Sequence, residues 1–161
     1  MKTVLFTLLL LVCGQCFAQE KECSRLWLND PFDSVDVIKR TAEEYLQTQL
    51  QMTNNEGSKM MYEMKDQNDL NQLKIWMKQK KSVVGGNVTT IYVTSSFKVT
   101  GPAERIDALF NALKNKVGGC ISAPTDNSFS FATGKVTVEK QGGDWSKKNI
   151  QMETMTITST K

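Results

Sequence analysis

The sequence predicts an α+β fold: three helices packed on one face of a mainly antiparallel sheet of about four to five strands. Three observations predict it. Apolar residues recur at helical spacing in three windows, they alternate in several others, and turn-forming residues separate the two kinds. The elements read in the order α-β-α-β-α-β-β-β.

The first helix spans residues 34 to about 50. Val35, Ile38, Ala42, Tyr45 and Leu46 recur at three- and four-residue spacing and so share a face. Asp33 or Ser34 can cap it, and Asp36 suits the positive end of the helix dipole. Asn54-Asn55-Glu56-Gly57 reads as a turn. Residues 59–65 read as a strand with Met60, Tyr62 and Met64 on one side. Asp66 caps a second helix through about residue 81, with Leu70, Leu73 and Met77 on one face and Trp76 on its flank. Gly85-Gly86 is a break.

Residues 88–99 are the clearest strand. Ile91, Val93, Phe97 and Val99 alternate with Tyr92, Thr94, Ser96 and Lys98, the pattern of a half-buried strand. Gly101-Pro102 opens a third helix with proline at its favoured first position. Its apolar stripe is Ile106, Leu109, Phe110, Leu113 and Val117, and Gly118-Gly119 ends it. The remainder reads as β. Phe129 and Phe131 precede a turn at Thr133-Gly134, and Val136 and Val138 follow. Gln141-Gly142-Gly143-Asp144 reads as another turn. Ile150, Met152, Met155 and Ile157 mark a last strand, bulged because the parity shifts. Residues 62–77 and 97–113 share a loose strand-turn-helix pattern, which is also the common grammar of α+β chains.

Residues 1–18 read as a signal peptide. Lys2 is the positive start, residues 4–12 are an almost unbroken apolar run, and Cys16-Phe17-Ala18 precedes cleavage. The run is shorter than the ~20 residues a bilayer span needs. A lipid anchor at Cys13 or Cys16 is the rival reading, although Val12 and Gln15 are poor residues before a modified cysteine. Residues 19–161 then form one compact domain, exported to a periplasm or outside the cell. Of the 4 cysteines, Cys23 and Cys120 survive cleavage. In an oxidising compartment they are expected to pair, worth up to ~4.7 kcal/mol for so long a loop.

The chain has no histidine. That removes the usual general base, the serine and cysteine triads, and most zinc sites. No phosphate-binding glycine loop has the required spacing. Glu43 and Glu44 are adjacent on a helix and do not face one another, so a carboxylate-dependent hydrolase is a minor alternative. Met52, Met60, Met61, Met64 and Met77 cluster in sequence and suit soft metal ions, but they equally fill core gaps. No metal or cofactor is expected. A net charge of +3 points away from nucleic acid.

Lys74, Lys78 and Lys81 share a face of the expected second helix, with Trp76 and Lys80 on its other side. Such basic flanks suit an anionic lipid or polysaccharide, or a solvated rim. Asn87-Val88-Thr89 is a glycosylation acceptor pattern in a eukaryotic setting. Ser82-Val83-Val84-Gly85-Gly86 resembles the first hairpin loop of the cystatins, and Trp145 after Gly142-Gly143 resembles their second. The resemblance implies inhibition of cysteine proteases through both loops. It departs from that family in Ser82, where the family has glutamine, and in its cysteine pattern. The chain therefore reads as a binding protein rather than a catalyst, contacting a protein or an envelope component. Lys74, Trp76, Lys78, Lys81, Val84, Gly85 and Gly86 are its candidate contacts.

Overall fold

The computed structural model describes residues 35–56, 61–131 and 136–159. The signal segment, Cys23, the Asp33 or Ser34 cap, Met60 and the Thr133-Gly134 turn lie outside them.

Among the described residues, two α-helices and seven strands follow in the order α1 (Val35–Leu46), β1 (Gln51–Glu56), β2 (Met61–Lys65), β3 (Gln72–Val84), β4 (Asn87–Pro102), α2 (Ala103–Val117), β5 (Ser128–Phe131), β6 (Val136–Lys147) and β7 (Ile150–Ser159). The strands form a single antiparallel sheet in the order β1-β2-β3-β4-β7-β6-β5. Both helices pack on one face of it. The arrangement is α+β, but the expected three helices and four to five strands are corrected to two helices on a seven-stranded sheet among the described residues.

The second helix is the main correction. Its residues form β3, which pairs with β2 and β4. Leu73, Ile75 and Met77 alternate, so a strand places all three on the helix-covered side, where Leu73 and Ile75 are fully buried. Asp66 does not cap a helix. Its carboxylate accepts hydrogen bonds from the backbone N–H groups of Leu70 and Asn71 and from Asn71 Nδ2, at 2.8, 3.1 and 2.8 Å, closing the loop before β3. Other boundaries move as well. Asn54, Asn55 and Glu56 belong to β1. The Gln141–Asp144 stretch lies within β6, where the register shifts between Gly142 and Ser146. β7 pairs with β4 without a shift. Its apolar residues change parity because Met155 and Ile157 face the helices and Met152 faces the opposite side.

The core lies between the helices and the sheet. α1 contributes Ile38, Ala42 and Leu46, and α2 contributes Ile106, Leu109, Phe110, Leu113 and Val117. Phe110 meets Phe129 of β5 edge to face with ring centroids 5.1 Å apart. A fully buried side chain of this size contributes about 1.5–3 kcal/mol. At the C-terminus of α1, Glu43 Oε1 accepts the Leu50 backbone N–H at 2.7 Å, and Lys39 Nζ lies 3.4 Å from the same oxygen. Glu43 therefore holds the α1–β1 connection.

The halves share one plan, a helix followed by three antiparallel strands, α1-β2-β3-β4 and α2-β5-β6-β7, with the edge strand β1 inserted after α1 and with β4 and β7 adjacent at the centre. Both long hairpins turn through two residues of positive φ, Gly85 and Gly86 (59° and 83°) and Lys148 and Asn149 (52° and 62°). Two successive left-handed residues match the strand twist. This repeat is not the 62–77 and 97–113 likeness read from the sequence, because residues 72–84 are strand.

Candidate functional site

β3 and β4 are the longest strands of the sheet, and they outrun their neighbours. Among the described residues, pairing with β2 reaches Trp76, opposite Met61, and pairing with β7 reaches Ser96, opposite Thr158. Among the described residues, 78–93 pair only across their own two-stranded ribbon. The tip is tight: Val84 pairs with Asn87 and Val83 with Val88 around Gly85-Gly86. Val83, Val84 and Val88 are 68%, 69% and 64% exposed.

β-strand alternation redistributes the sequence candidates. Lys74, Trp76, Lys78 and Lys80 lie on the face away from the helices, and Lys81 lies on the other side of the ribbon. The helical grouping of Lys74 with Lys78 and Lys81 is thereby corrected. Lys74 is committed locally: its Nζ lies 3.6 Å from Glu63 Oε1, which also accepts from Gln72 Nε2 at 2.5 Å. Trp76 is half-buried between Met61 and Ser96, and its carbonyl accepts the Ser95 hydroxyl at 3.0 Å. Lys78, Lys80 and Lys81 make no ion pair among the described residues. Tyr92, 47% exposed, accepts from Gln79 Nε2 at 3.4 Å across the ribbon.

Val84, Gly85 and Gly86 form an exposed hairpin tip between two strands, where the sequence reading had a break after a helix. The Trp145 segment, likened to the second loop of the same family, lies elsewhere. β4 and β7 are antiparallel, so the β6–β7 turn falls at the Pro102 end of β4, and the Gly85-Gly86 turn falls beyond Asn87. The two turns are separated by the length of β4, about 50 Å at ~3.3 Å per residue. Trp145 belongs to the far hairpin. That end is tied instead to the β2–β3 loop: Lys147 Nζ lies 2.5 Å from Asp69 Oδ2, and Lys148 Nζ donates to the Asn68 carbonyl at 3.2 Å. Hydrogen bonds and charge from Lys147 and Lys65 hold the Asp69 carboxyl below its ordinary pKa.

The sequence reading missed a cleft between the helices. Its larger part, about 410 Å³, is lined by Glu44, Tyr45, Gln47, Glu104, Arg105 and Ala108. A neighbouring part of about 300 Å³ shares Glu44 and Tyr45 and adds Leu109, Leu113 and Lys116. Arg105 donates to the Leu46 carbonyl, which fixes that wall. Glu44 and Glu104 are far apart in sequence, and only the packing of α1 against α2 brings them together. None of the candidate binding residues reaches this cleft; Glu44, weighed from the sequence only beside its neighbour Glu43, does.

Met52 and Met64 face one another across β1 and β2, and Met77 packs on the same core, whereas Met61 faces the opposite side. These four methionines are thus dispersed over both faces of the sheet. No cluster of three or more acidic, cysteine or histidine side chains able to hold a metal occurs among the described residues. Among the same residues, no helix is long and apolar enough to cross a membrane. Cys120, at the end of the short turn Gly118–Cys120, is disulfide-bonded. No family model, curated protein or solved structure matches the chain.

Proposed function

We propose that the chain is an exported binding protein whose contact element is the β3–β4 ribbon, with a protein or an envelope component as its target. The observation that carries this reading is the ribbon itself. A protein of this size hides most large apolar side chains, yet three valines stand exposed at the tip of this ribbon. Isolated two-stranded ribbons are marginally stable in water, which suits an arm completed by its target. Export rests on the residues 1–18 signal pattern, and pairing of Cys23 with Cys120 agrees with that compartment.

A cystatin-like inhibitor remains the second reading, supported by the exposure of Val84-Gly85-Gly86. With Trp145 on the far hairpin, such a wedge would rest on a single loop. Papain-type protease assays separate the two: inhibition lost on changing Val84 and Gly86 would establish the inhibitor.

The binding reading is tested by sedimenting the purified native protein with the envelope fraction of its own cells. The triple variant V83N/V84N/V88N is expected to lose most of the bound fraction while keeping its circular dichroism. Unchanged binding by that variant would remove the ribbon as the contact element.

A further inference from the structure

Resting on that reading, we propose that the ribbon's target is an anionic lipid surface, with the valine tip entering the headgroup region and the lysines behind it engaging lipid charge. The projecting residues 78–93 hold three lysines, Lys78, Lys80 and Lys81, and none of the chain's 17 acidic residues. The ribbon is therefore cationic, with as many uncompensated charges as the net +3 of the whole protein.

The order of chemistry along the ribbon matches the order of chemistry across a membrane surface. Val83, Val84 and Val88 come first. Ser82, Thr89 and Thr90 follow at the level of the next pairs. Lys81 stands opposite Thr90, Lys80 opposite Ile91 and Lys78 opposite Val93. At ~3.3 Å per residue the lysines begin within about 7 Å of Val83. Lys78 and Lys80 project from one side of the ribbon and Lys81 from the other, as a collar. A collar on both sides suits a charged plane that surrounds the entering tip, because a protein pocket would present counter-charges from particular directions. Tyr92, on the Lys81 side, belongs to the residue type favoured at the membrane–water boundary.

Backbone satisfaction limits the depth. The tip pairs its own ladder groups at Val83–Val88 and Val84–Asn87, but both ribbon edges keep polar groups that hydrocarbon would not satisfy. Entry is therefore shallow, and affinity depends on lysine attraction to anionic lipid, which salt screens.

The test is co-sedimentation of the purified native protein with vesicles of 7:3 phosphatidylcholine to phosphatidylglycerol and of phosphatidylcholine alone. Binding is expected only to the anionic vesicles, falling at least tenfold in 0.5 M NaCl. K78Q/K80Q/K81Q and V83N/V84N/V88N should each weaken it at least tenfold with unchanged circular dichroism, whereas K148Q, at the far hairpin, should leave it unchanged. Equal binding to both vesicles, or tip and lysine variants that bind like the parent, would overturn the lipid target. Tip-dependent binding to the envelope fraction without vesicle binding would also overturn it, assigning a protein target and leaving the ribbon reading intact. Tip-independent binding to that fraction would remove both.

Discussion

Lys140 Nζ lies 3.5 Å from Glu153 Oε2 on the helix-covered side of the sheet, and the same ammonium hydrogen-bonds the Asp107 carboxylate of α2. It also stands 5.8 Å from the Phe110 ring centroid. The Lys140 and Glu153 side chains are only 12% and 14% exposed. One cation therefore joins β6, β7 and α2 at the rim of the core.

Lys140→Met should destabilise the fold by about 2–4 kcal/mol, because it leaves the Glu153 carboxylate largely dry and unpaired. Adding Glu153→Gln should recover a large part of the loss, since no uncompensated charge then remains. Urea denaturation of the two variants measures both effects. A single variant within about 0.5 kcal/mol of the parent would show that water reaches Glu153 freely.

The same ammonium sets an alkaline limit. Burial pushes Lys140 toward losing its proton, but the Asp107 hydrogen bond and the charges of Glu153 and Asp107 outweigh burial and hold its pKa above the ordinary value. A raised folded-state pKa contributes stability that is complete below the unfolded value, about 10.4, and is lost as pH rises through the folded one. Asp69 behaves in the opposite sense. Its lowered pKa contributes stability present above about pH 3.9 and lost as pH falls through the folded value. Melting profiles of the parent, Lys140→Met and Asp69→Asn should therefore converge at the alkaline and acid ends respectively. The Asp69 effect should be small and salt-sensitive, because its site is exposed.

Gly101→Ala should cost about 1–3 kcal/mol through overpacking. A methyl group there would lie 2.5 Å from Leu46 Cδ2 and 2.8 Å from Asn71 Oδ1. β4 runs too close to the end of α1 and to the Asp66–Asn71 loop to admit a side chain. Thermal melting of the variant checks it, and an unchanged midpoint would mean that Leu46 and Asn71 retreat without cost.

Both helices were legible because their neighbours do not change their period. Ile38, Ala42 and Leu46, like Ile106, Leu109, Phe110, Leu113 and Val117, have helical spacing and no competing alternation. β3 was not legible for a definite reason. Leu70, Leu73 and Met77 satisfy a helix, while Leu73, Ile75 and Met77 satisfy a strand, and the intervening lysines and glutamines are good helix formers. Pairing with Phe97 and Val99 of β4 decides the matter. The candidate contacts followed the same course. Val84, Gly85 and Gly86 were found as a turn, but the length of the ribbon around them depends on where β2 and β7 end. Glu44 and Glu104 had no shared signal, since their meeting is purely tertiary.

By itself, the sequence determined the two helices that form, though it added a third, a clear central strand, a break at Gly85-Gly86, the lack of histidine chemistry and the cationic character of residues 72–102. These follow from local spacing and composition, which each segment carries alone. The tertiary structure decided that residues 72–84 are a strand, that the two hairpin turns lie at opposite ends of the sheet, and that Lys78 and Lys80 stand opposite Lys81 around a projecting ribbon. Those facts depend on backbone hydrogen bonds between separate segments, and in residues 72–84 pairing with β2 and β4 overrides local helix propensity.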